Sequence, residues 1–231
     1  MNTSLNILQK KIGLSFKTIS HLKNVFVHRS YLNENKAFSL PSNEKLEFLG
    51  DSVLSLVTSI HLYKAYPHLQ EGDYTDIKAS IVRTEALAEA ASELDLGSYL
   101  LLSRGEQKGN GRNKTNLLAD TFEALIAAIF IEFGFDVASA FIHTYLFNTR
   151  LDTIIANKLY LSPKSRLQER AQAKYKELPQ YKLIESAGPE HNKTFTVAVL
   201  INNNVMGKGH GSSKKHAEEQ AAQNALDILG K

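Results

Sequence analysis

The hydrophobic period of this chain changes once, and that change constrains the fold more than any single residue does. In residues 5–14, 19–27, 46–62, 77–94, 117–133 and 137–155 the apolar side chains recur every three or four positions, the spacing of one face of a helix. No stretch among them alternates convincingly. In KTFTVAVLI, residues 193–201, the period drops to two and places Phe195, Val197, Val199 and Ile201 on one face, as in a strand with one side buried. The expected architecture is an all-α domain over residues 1–156 followed by a small α+β domain over 157–231. With 231 residues the chain is long enough to bury a core in each part.

The second domain opens at Ser162-Pro163, a good N-cap and first-turn pair for a helix running to about Lys176. QYKLIES before KTFTVAVLI and NNVMGKG after it read as partner strands, with turns at Gly188-Pro189 and at Asn202 to Asn204. Ser213 can cap a last helix over 214–229, giving the order α-β-β-β-α. In the first domain the least regular stretch, SRGEQKGNGRNKTN at 103–116, reads as a loop rich in Gly, Asn and Lys.

The absence of cysteine excludes disulfides, thiolate zinc sites and a cysteine nucleophile, and suits a reducing compartment. The start, MNTSLNILQKKIG, lacks the basic-then-apolar pattern of a secretory signal. The longest apolar region, 117–135, contains Asp120, Glu123 and Glu132, too many acids for a lipid-spanning helix. No membrane segment and a cytoplasmic location are the expectations. Charge divides unevenly: residues 1–156 hold 15 Lys and Arg against 17 Asp and Glu, and residues 157–231 hold 12 against 7. An acidic body with a basic tail piece is what a chain needs if one part does chemistry and the other holds a polyanion.

In NEKLEFLGDSVL, residues 43–54, Glu44, Glu47 and Asp51 stand three and four apart. At about 100° per residue they fall within roughly 60° of each other on a helix. Leu46, Leu49, Val53, Leu56, Val57 and Ile60 form the expected core face opposite, while Phe48 and Leu54 flank the acidic stripe. In NLLADTFEALIAAIFI, residues 116–131, the only charges are Asp120 and Glu123, again three apart. Each acidic set has two readings. It is the wet face of an amphipathic helix, or the two sets face each other and hold a hard divalent ion such as magnesium, whose ligands are carboxylate oxygens and water. Spacing leaves Glu71 unassigned, since Asp73 and Asp76 near it read as a helix cap and first turn, and it leaves His28 open between a core histidine and a functional one. Lys214 and Lys215 begin a helix, where the macrodipole disfavours positive charge. They are a solvated pair, or they converge with free backbone N–H groups on a phosphate, with the glycines of GKGHGSSKK allowing close backbone approach.

NEKLEFLGDSVL resembles the signature of the ribonuclease III family, and GRNKTNLLADTFEALIAAIF resembles that family's second acidic motif with the loop before it. Residues 158–230 are similar to a double-stranded-RNA-binding domain through LQE at 167–169, GPEH at 188–191, FTVAV at 195–199 and GKGHGSSKKHAEEQAA at 207–222. Departures are small: Ser162 stands where Asp is common before the Pro, and Glu132 where Asp is frequent.

The resemblance implies a magnesium-dependent endoribonuclease, with manganese as a substitute ion. It would cut double-stranded RNA to leave 5′-phosphate and 3′-hydroxyl ends with short 3′ overhangs. By carry-over, Glu47, Glu71, Asp120 and Glu123 match metal ligands, Glu44 and Asp51 match residues that position substrate or water, and Glu123 is also catalytic. It further implies a homodimer through the helical domain, ribosomal RNA precursors and other structured transcripts as substrates, and RNA contacts from Gln168, His191, Lys214 and Lys215. A non-catalytic RNA-binding protein of the same fold is expected to lack one of the six acids, and none is missing.

Overall fold

A computed structural model describes residues 2–148, 151–189 and 193–229, and the chain divides into two compact units, Met1–Ile155 and Ala156–Lys231. His191 lies outside the described residues. The first unit is helical: α1 (Asn2–Ile12), α2 (Ile19–Val25), α3 (Arg29–Glu34), α4 (Glu44–Ala65), α5 (Glu71–Ile81), α6 (Thr84–Glu93), α7 (Arg104–Lys108), α8 (Thr115–Phe133), α9 (Phe135–Ile142) and α10 (Leu151–Ala156). Its centre is α8, where Phe122, Leu125, Ile126 and Ile129 have no exposed surface. Each such side chain contributes ~1.5–3 kcal/mol by leaving water. Helices α2, α4, α6 and α9 pack around it.

The start of α4 is fixed by Asn43, buried and bonded twice to the segment before α3. Its backbone N–H donates to the Val27 carbonyl at 2.8 Å, and its side-chain amide donates to the Val25 carbonyl at 3.1 Å. The same segment also pairs with the residues ahead of α7, through a parallel bridge between Val27 and Leu101. The loop before α8 is tied down by Arg112, whose guanidinium donates to the carbonyls of Gly97 and Ser98, each at 2.8 Å.

Four expectations are corrected. The run at 77–94 is two helices, because Arg83 takes an extended conformation (φ −65°, ψ 148°) between α5 and α6; the apolar spacing continues across the break and hides it. The stretch 103–116 contains α7 and a 3-10 turn at Gly111–Asn113, since Ser103 Oγ accepts from the Glu106 backbone N–H at 3.2 Å. The run at 137–155 changes pitch to a π-helical turn at His143–Phe147. On α4 the buried face comprises Gly50, Val53, Leu54, Val57, Thr58 and Leu62, and Leu56, placed in the core by the wheel, is 53% exposed. The acidic stripe therefore borders the buried face instead of opposing it.

The second unit follows the expected order: α11 (Pro163–Tyr175), β1 (Gln180–Ala187), β2 (Thr194–Ile201), β3 (Asn204–Gly211) and α12 (Lys214–Leu229). The strands form an antiparallel sheet in the order β1-β2-β3. Asn202 and Asn203, with φ of 51° and 61°, make the tight β2–β3 turn, the left-handed pair that a two-residue hairpin favours. Leu167 and Ala171 from α11, Val199 and Ile201 from β2, and Ala221, Ala222, Ala225 and Leu226 from α12 close the core. Ser162 caps α11 by accepting from the Ser165 N–H at 3.1 Å, and Ser213 caps α12 by accepting from the His216 N–H at 3.2 Å. The glycines of the GKGHGSSKK run serve the fold: a Cβ at Gly209 would stand 2.2 Å from the Ala221 nitrogen, so β3 lies backbone to backbone against α12.

Candidate metal centre and nucleic-acid interface

Helices α4 and α8 cross where Gly50 meets Glu123. A Cβ at Gly50 would sit 1.9 Å from the Glu123 carbonyl oxygen, so only a glycine lets the two backbones approach this far. The crossing turns the α4 stripe toward Asp120 and Glu123. Glu47, Asp120 and Glu123 each offer a carboxylate oxygen within 4.8 Å of the other two, and they form the sole such group among the described residues.

The electrostatics show what this convergence costs without a cation. Burial, then repulsion from Asp51, Glu47 and Asp120, pushes the Glu123 carboxyl up to about 8 from its ordinary 4.5. Burial also raises Glu47, with further repulsion from Asp120 and Glu44, and burial raises Asp120. Packing forces like charges together at reduced polarity, which favours the protonated forms until a cation arrives.

Around the trio the other predicted residues divide. Glu44, at the head of α4, accepts from Ser42 Oγ at 2.7 Å and faces the Arg29 guanidinium at 3.6 Å. Asp51 is exposed on the next turn and acts on Glu123 through its charge. Glu71 begins α5, is exposed, and accepts from Thr75 Oγ1 at 3.1 Å; the fold does not bring it into the trio. Two of the trio, Glu47 and Asp120, open on a cleft of about 350 Å³. Sequence reasoning left the cleft's other polar residues unassigned: His28, Arg29, Glu106 and Lys114 line it, and Lys114 forms an ion pair with Glu106. Two of them sit in the Gly-rich stretch, where no periodicity marks a wall.

In the second unit Gln168 is exposed on α11, and Lys214 and Lys215 are exposed as the first residues of α12. The first turn of α12 carries no acid; the nearest carboxylates on the helix, Glu218 and Glu219, stand one turn further on, and Glu218 is paired with Lys164.

A ribonuclease-III-like family profile matches residues 19–150, and a double-stranded RNA binding motif matches residues 163–229. Ribonuclease 3 of Treponema denticola is 43% identical over 221 residues, covering 96% of this chain and 89% of that protein. Ribonuclease 3 of Chloroflexus aurantiacus is 42% identical over 228 residues, covering 98% and 92%. Among solved structures, the nuclease domain of ribonuclease III from Campylobacter jejuni superposes with a TM-score of 0.56 and 31% identity, covering 62% of this chain and 93% of that one. A second structure of that domain concerns flexibility in the region involved in dimer formation, with a TM-score of 0.55, 32% identity, and 60% and 95% coverage. Helical nuclease domain, RNA-binding motif and full-length relatives agree: the chain belongs to the ribonuclease III family of endoribonucleases that act on double-stranded RNA.

Proposed function

We propose that the chain hydrolyses phosphodiesters of double-stranded RNA with magnesium held by Glu47, Asp120 and Glu123, leaving 5′-phosphate and 3′-hydroxyl ends. The observation that carries this reading is the convergence of the three carboxylates across the Gly50 crossing. The donor set fits the ion: oxygen donors alone, like charges that burial leaves uncompensated, and an open cleft for water and substrate. When bound, the ion supplies Lewis-acid polarisation of a phosphate and a more acidic water; manganese suits the same oxygens. Glu44, restrained by Ser42 and Arg29, and Asp51 hold water or substrate beside the trio, and Glu71 at the head of α5 enters the reading as a further metal ligand through resemblance to the family alone.

One such site cuts one strand. On α4, Phe48, Leu56 and Tyr63 are 78%, 53% and 73% exposed, an apolar stripe that invites burial. It supports a homodimer through the helical domain, whose paired sites cut both strands and leave short 3′ overhangs. Gln168, Lys214 and Lys215, with His191, hold the duplex by its shape and phosphates. Ribosomal RNA precursors and other structured transcripts in the cytoplasm are the substrates this reading favours. No helix among the described residues is long and apolar enough to cross a membrane.

Glu123→Gln tests the assignment. It is expected to abolish cleavage of a duplex under magnesium while leaving duplex affinity unchanged. Retained turnover would remove Glu123 from the metal site.

A further inference from the structure

Beyond the trio, the cleft presents groups that metal binding leaves unused. Apart from Glu47 and Asp120, which the metal takes, its charges balance: Glu44 and Glu106 against Arg29 and Lys114. Both cations are engaged, Lys114 with Glu106 and Arg29 with Glu44. An extra phosphate gains little in such surroundings, whereas a neutral polar group meets no penalty.

The wall of the cleft contains a ready donor. His28 caps α3 by accepting the Ser30 backbone N–H on Nδ1 at 3.3 Å. Ser30 Oγ lies 2.7 Å from the same nitrogen and itself accepts the Ser103 N–H at 3.1 Å, which frees the hydroxyl proton for Nδ1. With Nδ1 occupied as an acceptor, the neutral ring carries its proton on Nε2. Nε2 has no hydrogen-bond partner among the described residues, and the ring lines the cleft. Burial lowers the His28 pKa against the opposing charge of Glu106, which keeps the ring neutral.

An acceptor stands nearby. Glu106 is the largest charge acting on His28, and its Oε1 is bound by Lys114, which leaves Oε2. A neutral donor beside a carboxylate acceptor matches a group that both accepts and donates: a hydroxyl. The hydroxyl that an RNA strand offers beside a phosphate, and a DNA strand lacks, is the ribose 2′-OH.

We propose that His28 and Glu106 read the 2′-hydroxyl of a ribose next to the scissile phosphate, His28 donating to its oxygen and Glu106 accepting its proton in a hydrogen bond. The nuclease site then distinguishes RNA from DNA by itself, in addition to any discrimination by the RNA-binding motif. This inference rests on the nuclease reading above.

The test is single-turnover cleavage of duplexes carrying one 2′-fluoro substitution at each nucleotide flanking the cut, which keeps the RNA-like sugar pucker and removes the hydroxyl donor. His28→Asn retains the α3 cap, since Asn accepts the Ser30 N–H, and deletes the Nε2 donor. The wild type is expected to lose about tenfold at one position. His28→Asn should lose several-fold on the all-ribose duplex and then show a smaller 2′-fluoro loss than the wild type at that position, since fluorine is a poor acceptor for the His28 donor and only the Glu106 contact is left to lose. Glu106→Leu, which removes the acceptor and should show the same reduced sensitivity, is the second variant should His28→Asn fail to fold. Equal 2′-fluoro losses in wild type and variant, or no loss in the wild type at any position, would overturn the assignment. Failure of the wild type to cut the all-ribose duplex would instead overturn the nuclease reading.

Discussion

Glu123→Gln should raise the stability of the metal-free nuclease unit, and by an amount that grows with pH. Folded Glu123 keeps its proton to about pH 8, whereas the unfolded chain releases it near 4.5. The folded state therefore binds more protons throughout that window, and its stability falls as pH rises through it. At about 1.4 kcal/mol per pH unit, the ceiling on this loss is about 5 kcal/mol. The carboxyl keeps some contact with solvent and shares its proton load with Glu47 and Asp120, so screening and coupling bring the figure to about 2 kcal/mol. Glutamine cannot ionise and keeps this stability. For a unit of this size the gain is about 4–8 °C in melting temperature. In thermal melts with chelator, wild type and variant should coincide near pH 4.5 and diverge until pH 8. Saturating magnesium should close the gap, because the wild type gains binding free energy that the variant lacks. Parallel melting temperatures across the whole range under chelator would refute the claim that the trio stores repulsion.

Two further outcomes follow from the geometry. Gly50→Ala forces α4 away from the Glu123 backbone and should cost about 3 kcal/mol in chemical denaturation, with cleavage reduced alongside; an unchanged midpoint would contradict the crossing. Replacing both Lys214 and Lys215 with Ala should lower the slope of log affinity against log salt by about 2 in duplex binding, about 1 for each phosphate that a lysine no longer neutralises. An unchanged slope would remove both from the interface.

What the sequence made legible was periodic, and what it hid depended on tertiary partners. The change of period at the strand Thr194–Ile201 and the caps at Ser162 and Ser213 appear in the fold as read. The α4 wheel failed at Leu54 and Leu56 because hydrophobicity alone does not say which side another helix will take. With α8 packed at Gly50, the acidic stripe borders the core and Leu56 turns to solvent. A helix-interior glycine costs about 1 kcal/mol relative to alanine, so Gly50 in FLGDS was itself a signal of close approach. The short helix α7 also had its mark, Ser103 followed three residues later by Glu106, a capping pattern. No comparable signal marked α3, capped by a histidine. At the site, Glu47, Asp120 and Glu123 come together as the facing-stripe reading requires, whereas Glu71, which came through resemblance to the family, stands apart.

The central claim is that the carboxylate trio serves magnesium-dependent cutting of double-stranded RNA. Its most direct test is incubation of the protein with an end-labelled RNA duplex, with magnesium or with chelator, and separation of the products on a denaturing gel. Cuts on both strands under magnesium alone, offset to leave 3′ overhangs, are the predicted result. Binding of the duplex with no cleavage under magnesium would contradict it.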